Sequence, residues 1–235
     1  MGILLNEVME RISKKRTAQK QTGQKKEETG ITCRSNISDE LLERYGIYRR
    51  YAKTTFEDVR ERGIPKDLVK QYEDALGYAE EIDKHLKDGT GLIFAGACGT
   101  MKTTLAVCIL RAMMDTPEGE YRPSGLFIPM VSLIDTLYNM RNASKEEAAA
   151  FEKRIRSVDL LVLDDLGGEN TEQNWVKAKV DSIITERYNR MKPVIITTNL
   201  SPTQLYEVYG ARVLDRIKET TRIVIHAGKS LRKPA

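Results

Sequence analysis

A glycine-containing loop in the first half of the chain carries residue types that bind phosphate groups. Residues 92–95 predict a strand, the loop GACGTMKTT follows, and residues 105–114 predict a helix. In this context the backbone N–H groups of the loop and of the helix N-terminus point toward a phosphate. Lys102 supplies a positive charge to the β- and γ-phosphates, and the Thr103 hydroxyl is placed to ligate Mg²⁺. The predicted nucleotide-binding residues of this P-loop are Gly96, Ala97, Cys98, Gly99, Thr100, Met101, Lys102, Thr103 and Thr104.

One residue of the loop departs from the common pattern. The pattern G-x-x-x-x-G-K-[ST] has glycine directly before the lysine, and this chain has Met101 there. Depending on the φ angle at this position, a side chain crowds the phosphates or strains the loop. Two interpretations stay open: a working nucleotide site, or a nucleotide-gated adaptor with little turnover.

Acidic and amide side chains follow two later apolar runs. The run 158–163 leads into Asp164 and Asp165, and the run 193–197 leads to Asn199. Asp164 is placed to hold Mg²⁺, usually through water, and Asp165 to orient or deprotonate an attacking water. Asn199 can hydrogen-bond both a γ-phosphate oxygen and that water. These positions predict hydrolysis of a nucleoside triphosphate.

Two arginines lie late in the chain. The segment GARVLDRI places Arg212 and Arg216 four residues apart, on one face of a predicted helix. One interpretation is surface pairing with Glu219 or Asp215. The other is a role at a phosphate, which the order of the preceding motifs supports.

The P-loop, the Asp164-Asp165 strand end, the TTN segment and GARVLDRI resemble, in order and spacing, the AAA+ ATPases of the DnaC, DnaI and IstB group. The resemblance covers about residues 51–232. It implies a P-loop α/β/α sandwich that binds ATP and Mg²⁺. Members of the group load a DnaB-type replicative helicase onto DNA or assist a transposase.

The same resemblance implies roles for individual late residues. Asn199 would be the sensor-1 residue, Arg216 the arginine finger that reaches the ATP of a neighbouring subunit, and Arg212 its support. Arg232, in GKSLR, resembles the second sensor, which contacts the γ-phosphate in cis. A finger that acts in trans requires head-to-tail subunits, so we expect a ring or a helical oligomer.

The elements that must position these residues alternate along the chain. Five short apolar runs separated by helical patterns predict a mostly parallel sheet in an α/β fold. They are 92–95, 126–130, 158–163, 193–197 and 223–225. Before the first run, apolar residues spaced three and four apart from Leu68 to Leu86 predict one core-facing helix that ends near Gly89.

The amino-terminal part differs from the rest of the chain in its apolar pattern and its charge. Residues 2–16 predict an amphipathic helix, and residues 17–36 have no apolar period, as in a linker. Residues 1–36 contain eight lysines and arginines against four glutamates. We expect a helical arm and linker over 1–50, before an ATPase domain over 51–235. The first helix either docks on a helicase or packs on its own domain.

Composition excludes several classes of protein. The chain has 235 residues, 40% hydrophobic and 31% charged, as expected for a globular protein. No run approaches the ~20 apolar residues of a membrane span, so we expect a cytoplasmic protein with no membrane partner. Three cysteines and two histidines show no metal-ligand spacing, which argues against a disulfide framework or a zinc site.

The preferred function is an ATP-dependent helicase loader that delivers a DnaB-type helicase to single-stranded DNA during replication initiation, with hydrolysis driving release. A transposase accessory ATPase that contacts duplex DNA is the alternative, beside the adaptor with little turnover. Contact with single-stranded DNA needs a positively charged groove. The basic residues between the second and third runs fit a solvated surface better than phosphate contacts.

Overall fold

A parallel sheet of five strands forms the centre of the part of the chain that the structure describes. The computed structural model describes residues 37–115, 122–140, 144–168 and 174–231. The strand order is β2-β3-β4-β1-β5, and every neighbouring pair is parallel. The strands are β1 (Gly91–Gly96), β2 (Gly125–Pro129), β3 (Leu160–Leu166), β4 (Val194–Thr198) and β5 (Thr221–His226). All five predicted runs are therefore strands.

Helices alternate with these strands, as the sequence predicts. Between residue 37 and β1 the described α-helices are α1 (Asp39–Arg44), α2 (Phe56–Glu61), α3 (Val69–Glu80) and α4 (Ile82–Asp88). The later ones are α5 (Lys102–Met114), α6 (Met130–Asn139), α7 (Lys145–Ser157), α8 (Asn174–Asn189), α9 (Pro202–Tyr209) and α10 (Ala211–Thr220). None of the helices in the described ranges is long and apolar enough to cross a membrane.

Strands β1 to β4 are buried on both faces of the sheet, whereas the edge strand β5 is more exposed. Successive strand residues point to opposite faces, so Leu92 and Phe94 of β1 join one hydrophobic cluster, and Ile93 joins the other. The first cluster contains the buried residues of α3 and α5, and the second those of α8 and α10. This arrangement is the expected three-layer α/β/α sandwich.

The helix predicted up to Leu86 is broken in the structure. Glu81, with φ −105° and ψ 24°, separates α3 from α4. Beside the break, the Tyr78 ring stacks on His85 with centroids 4.1 Å apart, and its hydroxyl donates to the Thr90 carbonyl at 2.7 Å. Tertiary contacts of Tyr78 thus accompany a bend that the apolar spacing does not reveal. The predicted end at Gly89 is confirmed by its left-handed φ of 69°.

Residues 37–50, predicted as the last part of the amino-terminal arm, pack on the sheet. Leu42, Tyr45 and Ile47 belong to the same cluster as β1 and α5. The Tyr45 hydroxyl donates to the Pro123 carbonyl at 2.5 Å, and the Tyr45 carbonyl accepts from the Phe127 N–H at 2.7 Å. The predicted amphipathic helix at 2–16 and the linker at 17–36 lie outside the described residues, and their function stays a prediction.

Candidate functional site

The P-loop forms at the carboxyl end of β1, where α5 begins at Lys102. Gly96 ends the strand with φ 143°, and a Cβ there would lie 2.1 Å from the His226 carbonyl oxygen. A side chain at Gly96 would therefore separate β1 from β5 just below the loop. The Thr100 hydroxyl closes the loop by donating to the Ala97 carbonyl at 2.8 Å.

Lys102 is buried inside this loop. Its ammonium group donates to the carbonyl oxygens of Gly96 and Ala97, both at 2.7 Å, and to Asn199 Oδ1 at 2.8 Å. These are neutral acceptors, and a charged phosphate oxygen accepts a stronger hydrogen bond from an ammonium group. A phosphate that enters the loop can therefore compete with these neutral acceptors for the Lys102 ammonium group.

Met101 adopts the backbone conformation that favours glycine. Its φ is 65°, directly before the first residue of α5, and its side chain packs half-buried against the hydrophobic cluster of β1 and α5. The left-handed conformation costs an L-residue roughly 1–2 kcal/mol. Of the two effects predicted for this position, the structure thus shows backbone strain, together with a packed side chain.

This strain predicts an unusual order of stability between two variants. Met101→Ala and Met101→Gly both lose the methionine packing, but only glycine relieves the left-handed φ. We expect Met101→Gly to have the higher free energy of unfolding, by about 0.5–1 kcal/mol. Urea unfolding of both variants measures the difference. An alanine variant as stable as the glycine variant would show that position 101 is not strained.

The predicted magnesium residues are hydrogen-bonded to each other. Asp164 Oδ1 accepts from the Thr103 hydroxyl at 2.7 Å and from the Thr197 hydroxyl at 2.6 Å. Mg²⁺ binds proteins through one or two carboxylates and keeps waters and substrate phosphates as its other ligands. No group of three or more His, Cys, Asp or Glu in the described ranges forms a closed metal cage. The Thr103-Asp164 pair therefore fits a phosphate-bound Mg²⁺.

Burial raises the pKa of Asp164 above its ordinary value of 3.8, although hydrogen bonds from Thr197 and Thr103 oppose the shift. An acid with a raised folded pKa favours folding while it is protonated, and this contribution is lost as pH rises through that pKa. We expect the nucleotide-free native protein to lose more stability above about pH 4 than Asp164→Asn. Urea unfolding at a series of pH values tests this. Parallel pH profiles for the two proteins would contradict it.

A β-bulge turns Asp165 out of the sheet. The pairs Leu163–Ile196 and Leu166–Thr198 leave Asp164 and Asp165 opposite the single residue Thr197. The Thr197 hydroxyl bonds both of them, since it donates to Asp164 and accepts from the Asp165 N–H at 2.9 Å.

The bulge exposes the Asp165 carboxylate. Asp165 has φ 58°, a conformation that aspartate tolerates better than most residues. A Cβ on Gly168 would lie 2.7 Å from Asp165 Oδ2, so the glycine leaves space for the carboxylate. An exposed aspartate held in a strained turn is suited to act on a ligand.

Asn199 bridges the lysine and the exposed aspartate. Its Nδ2 donates to Asp165 Oδ1 at 2.7 Å, and its Oδ1 accepts from Lys102 Nζ at 2.8 Å. The bridge is possible because β4, which leads to Asn199, lies between β3 and β1 in the sheet. The Asn199 amide is therefore hydrogen-bonded to both the buried ammonium group and the exposed carboxylate.

Comparison with known proteins identifies the family. Residues 81–235 match the model of the family described as IstB-like ATP binding protein. The chain belongs to this family of ATP-binding proteins. The replicative helicase loader DnaC of Buchnera aphidicola subsp. Schizaphis graminum (strain Sg) is 28% identical to it over 184 residues, which are 76% of this chain and 68% of the relative.

Solved structures of the same group have this fold. A crystal structure of the DnaC helicase loader, 27% identical, gives a TM-score of 0.66 and covers 76% of this chain and 99% of that chain. A crystal structure of DnaI, 24% identical, gives 0.60 with 76% and 94% covered, a likeness of fold. The predicted relationship to the DnaC and IstB-like AAA+ group and its P-loop α/β/α sandwich are thereby confirmed.

Arg212 and Arg216 lie on one face of α10 in this IstB-like ATP-binding protein, as predicted. Both contact Asp181 on α8 rather than Glu219 or Asp215. Neither has a hydrogen bond to a P-loop residue within the described ranges of its own chain. Arg232, predicted as the second sensor, lies outside the described residues.

Two residues that sequence reasoning missed support the ATP site. Thr197 fixes both aspartates, and the TTN segment that pointed to Asn199 contains it. His226 ends β5, and its Nδ1 donates to the Thr100 carbonyl at 2.7 Å; burial lowers the His226 pKa and so keeps the ring neutral. No local pattern marks His226, because it meets Thr100 only through the pairing of β1 with β5.

Proposed function

We propose that this protein is an ATP-hydrolysing loader of a DnaB-type replicative helicase. The observation that carries the proposal is the hydrogen-bonded chain from Lys102 through Asn199 to Asp165, beside the Thr103-Asp164 pair. Such a chain couples a phosphate-binding cation to a carboxylate that can activate water. The 28% identity to a DnaC helicase loader over 184 residues supports the choice of loader.

In the proposed mechanism the backbone N–H groups of the loop and Lys102 bind the phosphates of ATP. Thr103 and Asp164 would hold Mg²⁺, which neutralises charge on the phosphates when bound. Asp165 orients a water and accepts its proton, and Asn199 keeps the Asp165 carboxylate turned toward the γ-phosphate side. Arg216 of a neighbouring subunit stabilises the charge that develops during phosphoryl transfer.

Head-to-tail assembly and the amino-terminal arm complete the proposal. In a head-to-tail ring or helical oligomer, α10 of one subunit faces the P-loop of the next. We assign helicase docking to the amino-terminal region, on its basic charge and the amphipathic pattern of residues 2–16. Single-stranded DNA is the second proposed partner, and ATP hydrolysis releases the helicase. The proposed place of action is the cytoplasm.

Steady-state ATP hydrolysis with Mg²⁺ tests the function directly. The native protein is assayed alone, with single-stranded DNA, and with a DnaB-type helicase from the same source, beside transfer of that helicase onto single-stranded DNA. We expect hydrolysis, and transfer that requires ATP. No hydrolysis by the native protein, with activity in Met101→Gly, would favour the adaptor. Hydrolysis stimulated by duplex DNA, with capture of a transposase instead of the helicase, would favour the transposase accessory protein.

A further inference from the structure

The two arginines of α10 share one carboxylate, that of Asp181 on α8. Arg212 Nη2 donates to Asp181 Oδ2, and Arg216 Nη1 lies 3.5 Å from Asp181 Oδ1. One helical turn further along α8, the Thr185 hydroxyl donates to Asp181 Oδ1 at 3.1 Å. The Asp181 side chain is only 17% exposed. The carboxylate is therefore itself fixed in position and can in turn orient both guanidinium groups.

Arg216 is held along one edge of its guanidinium. The same Nη1 that approaches Asp181 also donates to the Arg212 carbonyl at 3.3 Å. The guanidinium carbon lies 6.0 Å from the centre of the Tyr188 ring, a cation–π contact that restricts it on a second side. All side-chain hydrogen bonds of Arg216 within the described ranges use Nη1. The opposite edge, Nε and Nη2, is the edge available to a ligand, and the side chain is 25% exposed.

The groove beside these arginines carries unbalanced positive charge. It has a volume of about 600 Å³ and lies between α8 and α10. The guanidinium groups of Arg212 and Arg216 both line the groove, and the Asp181 carboxylate balances only one of these two positive charges. The other acid of the groove, Glu186, already pairs with Arg156 at 2.9 Å and with Arg190 at 2.6 Å. A groove with this charge suits a phosphate group, which accepts well from a guanidinium edge.

We propose that Asp181 is a positioning residue for Arg216. It orients the guanidinium so that the Nε and Nη2 edge of Arg216 faces a phosphate of the nucleotide bound to a neighbouring subunit. This inference rests on the proposed function, in which Arg216 acts in trans. Arg212 neutralises Asp181, so the carboxylate orients Arg216 while the cluster keeps its net positive charge. Small displacements of a positioned group cost up to about a hundredfold in rate, so the orientation of Arg216 affects kcat.

The first test replaces the carboxylate without changing its shape. Asp181→Asn is expected to lower kcat about 10- to 100-fold and to leave the KM for ATP unchanged, since Asp181 touches none of the P-loop residues within the described ranges. Asp181→Glu, which keeps the charge, recovers part of the rate. Asp215→Asn removes the same charge from an exposed position of α10 and stays within about twofold of the native rate. A native kcat in Asp181→Asn would overturn the inference.

Thr185→Val provides a second variant that keeps Asp181 in place. Valine has nearly the shape of threonine but cannot donate to Asp181 Oδ1. We expect a smaller fall in kcat, about three- to fivefold, again with unchanged KM. Thermal unfolding of both variants shows whether they are folded. A folded Thr185→Val protein with native kcat, beside an unfolded Asp181→Asn protein, would contradict the positioning role.

Mixed oligomers distinguish a loss of Arg216 positioning from damage to the nucleotide site of the Asp181→Asn subunit itself. Lys102→Ala subunits keep the Asp181-Arg216 pair but lack a working P-loop, so they should restore hydrolysis to Asp181→Asn subunits over a range of mixing ratios. Arg216→Ala subunits should not. Failure of Lys102→Ala to restore activity would show that Asp181→Asn damages its own nucleotide site. If Arg216→Ala alone has native activity, the shared site of the proposed function fails; if only Asp181→Asn is native, this inference alone fails.

Discussion

Replacing Arg216 by alanine is expected to lower kcat for ATP hydrolysis about a thousandfold or more, the effect of losing an arginine finger. Arg216 lies on α10, and its contacts are to α8 and to its own helix rather than to the P-loop. A contact in trans that strengthens only in the transition state lowers kcat without weakening binding, so ATP affinity should stay within about twofold of the native value. Steady-state hydrolysis and equilibrium binding of ATP to the same preparation measure the two quantities.

A neighbouring cation and a mixture of two variants serve as controls for the Arg216→Ala variant. Lys218→Ala removes an exposed cation from the same helix and should keep the native kcat. Lys102→Ala and Arg216→Ala should each be inactive as homo-oligomers, but a mixture would contain sites with an intact P-loop facing an intact arginine. Such a mixture should recover hydrolysis. No recovery over a range of ratios would show that Arg216 does not act on a neighbouring subunit.

Replacing Asp165 by asparagine is expected to lower kcat by about two to four orders of magnitude. Asparagine cannot accept the proton of the attacking water. Its Oδ1 can still accept from Asn199 Nδ2, and asparagine tolerates the left-handed backbone at φ 58°. We therefore expect the variant to fold normally and to bind ATP with native affinity.

Hydrolysis, ATP binding and thermal unfolding of Asp165→Asn test this prediction. Asp135→Asn, which removes an exposed carboxylate from α6, is the matched control and should be fully active. If Asp165→Asn retained half of the native rate, another group would activate the water. If the variant lost ATP binding as well, Asp165 would contribute to the binding site instead of the chemical step.

The strands and the chemical types of the site residues could be predicted because both depend on local sequence. The first four apolar runs are long enough to indicate buried strands by themselves, and the shorter run 223–225 forms the more exposed edge strand β5. Similarly, the strand, glycine loop and Lys102-Thr103 pair are contiguous, so the P-loop is encoded within about a dozen residues. The sequence does not reveal the break between α3 and α4, because the apolar spacing continues across Glu81, whereas the contacts of Tyr78 involve tertiary packing.

The sequence by itself therefore determined the P-loop, the two acids at the end of β3, and the alternation of strands and helices that produces a parallel sheet. Only the tertiary structure decided how these groups bond to one another. Lys102 and Asn199 are 97 residues apart and meet because β4 lies beside β1. The contact of Asp181 with Arg216 depends in the same way on the packing of α8 against α10. Strand order and helix packing follow from burial across the whole chain, so no local pattern of residue types can specify such contacts.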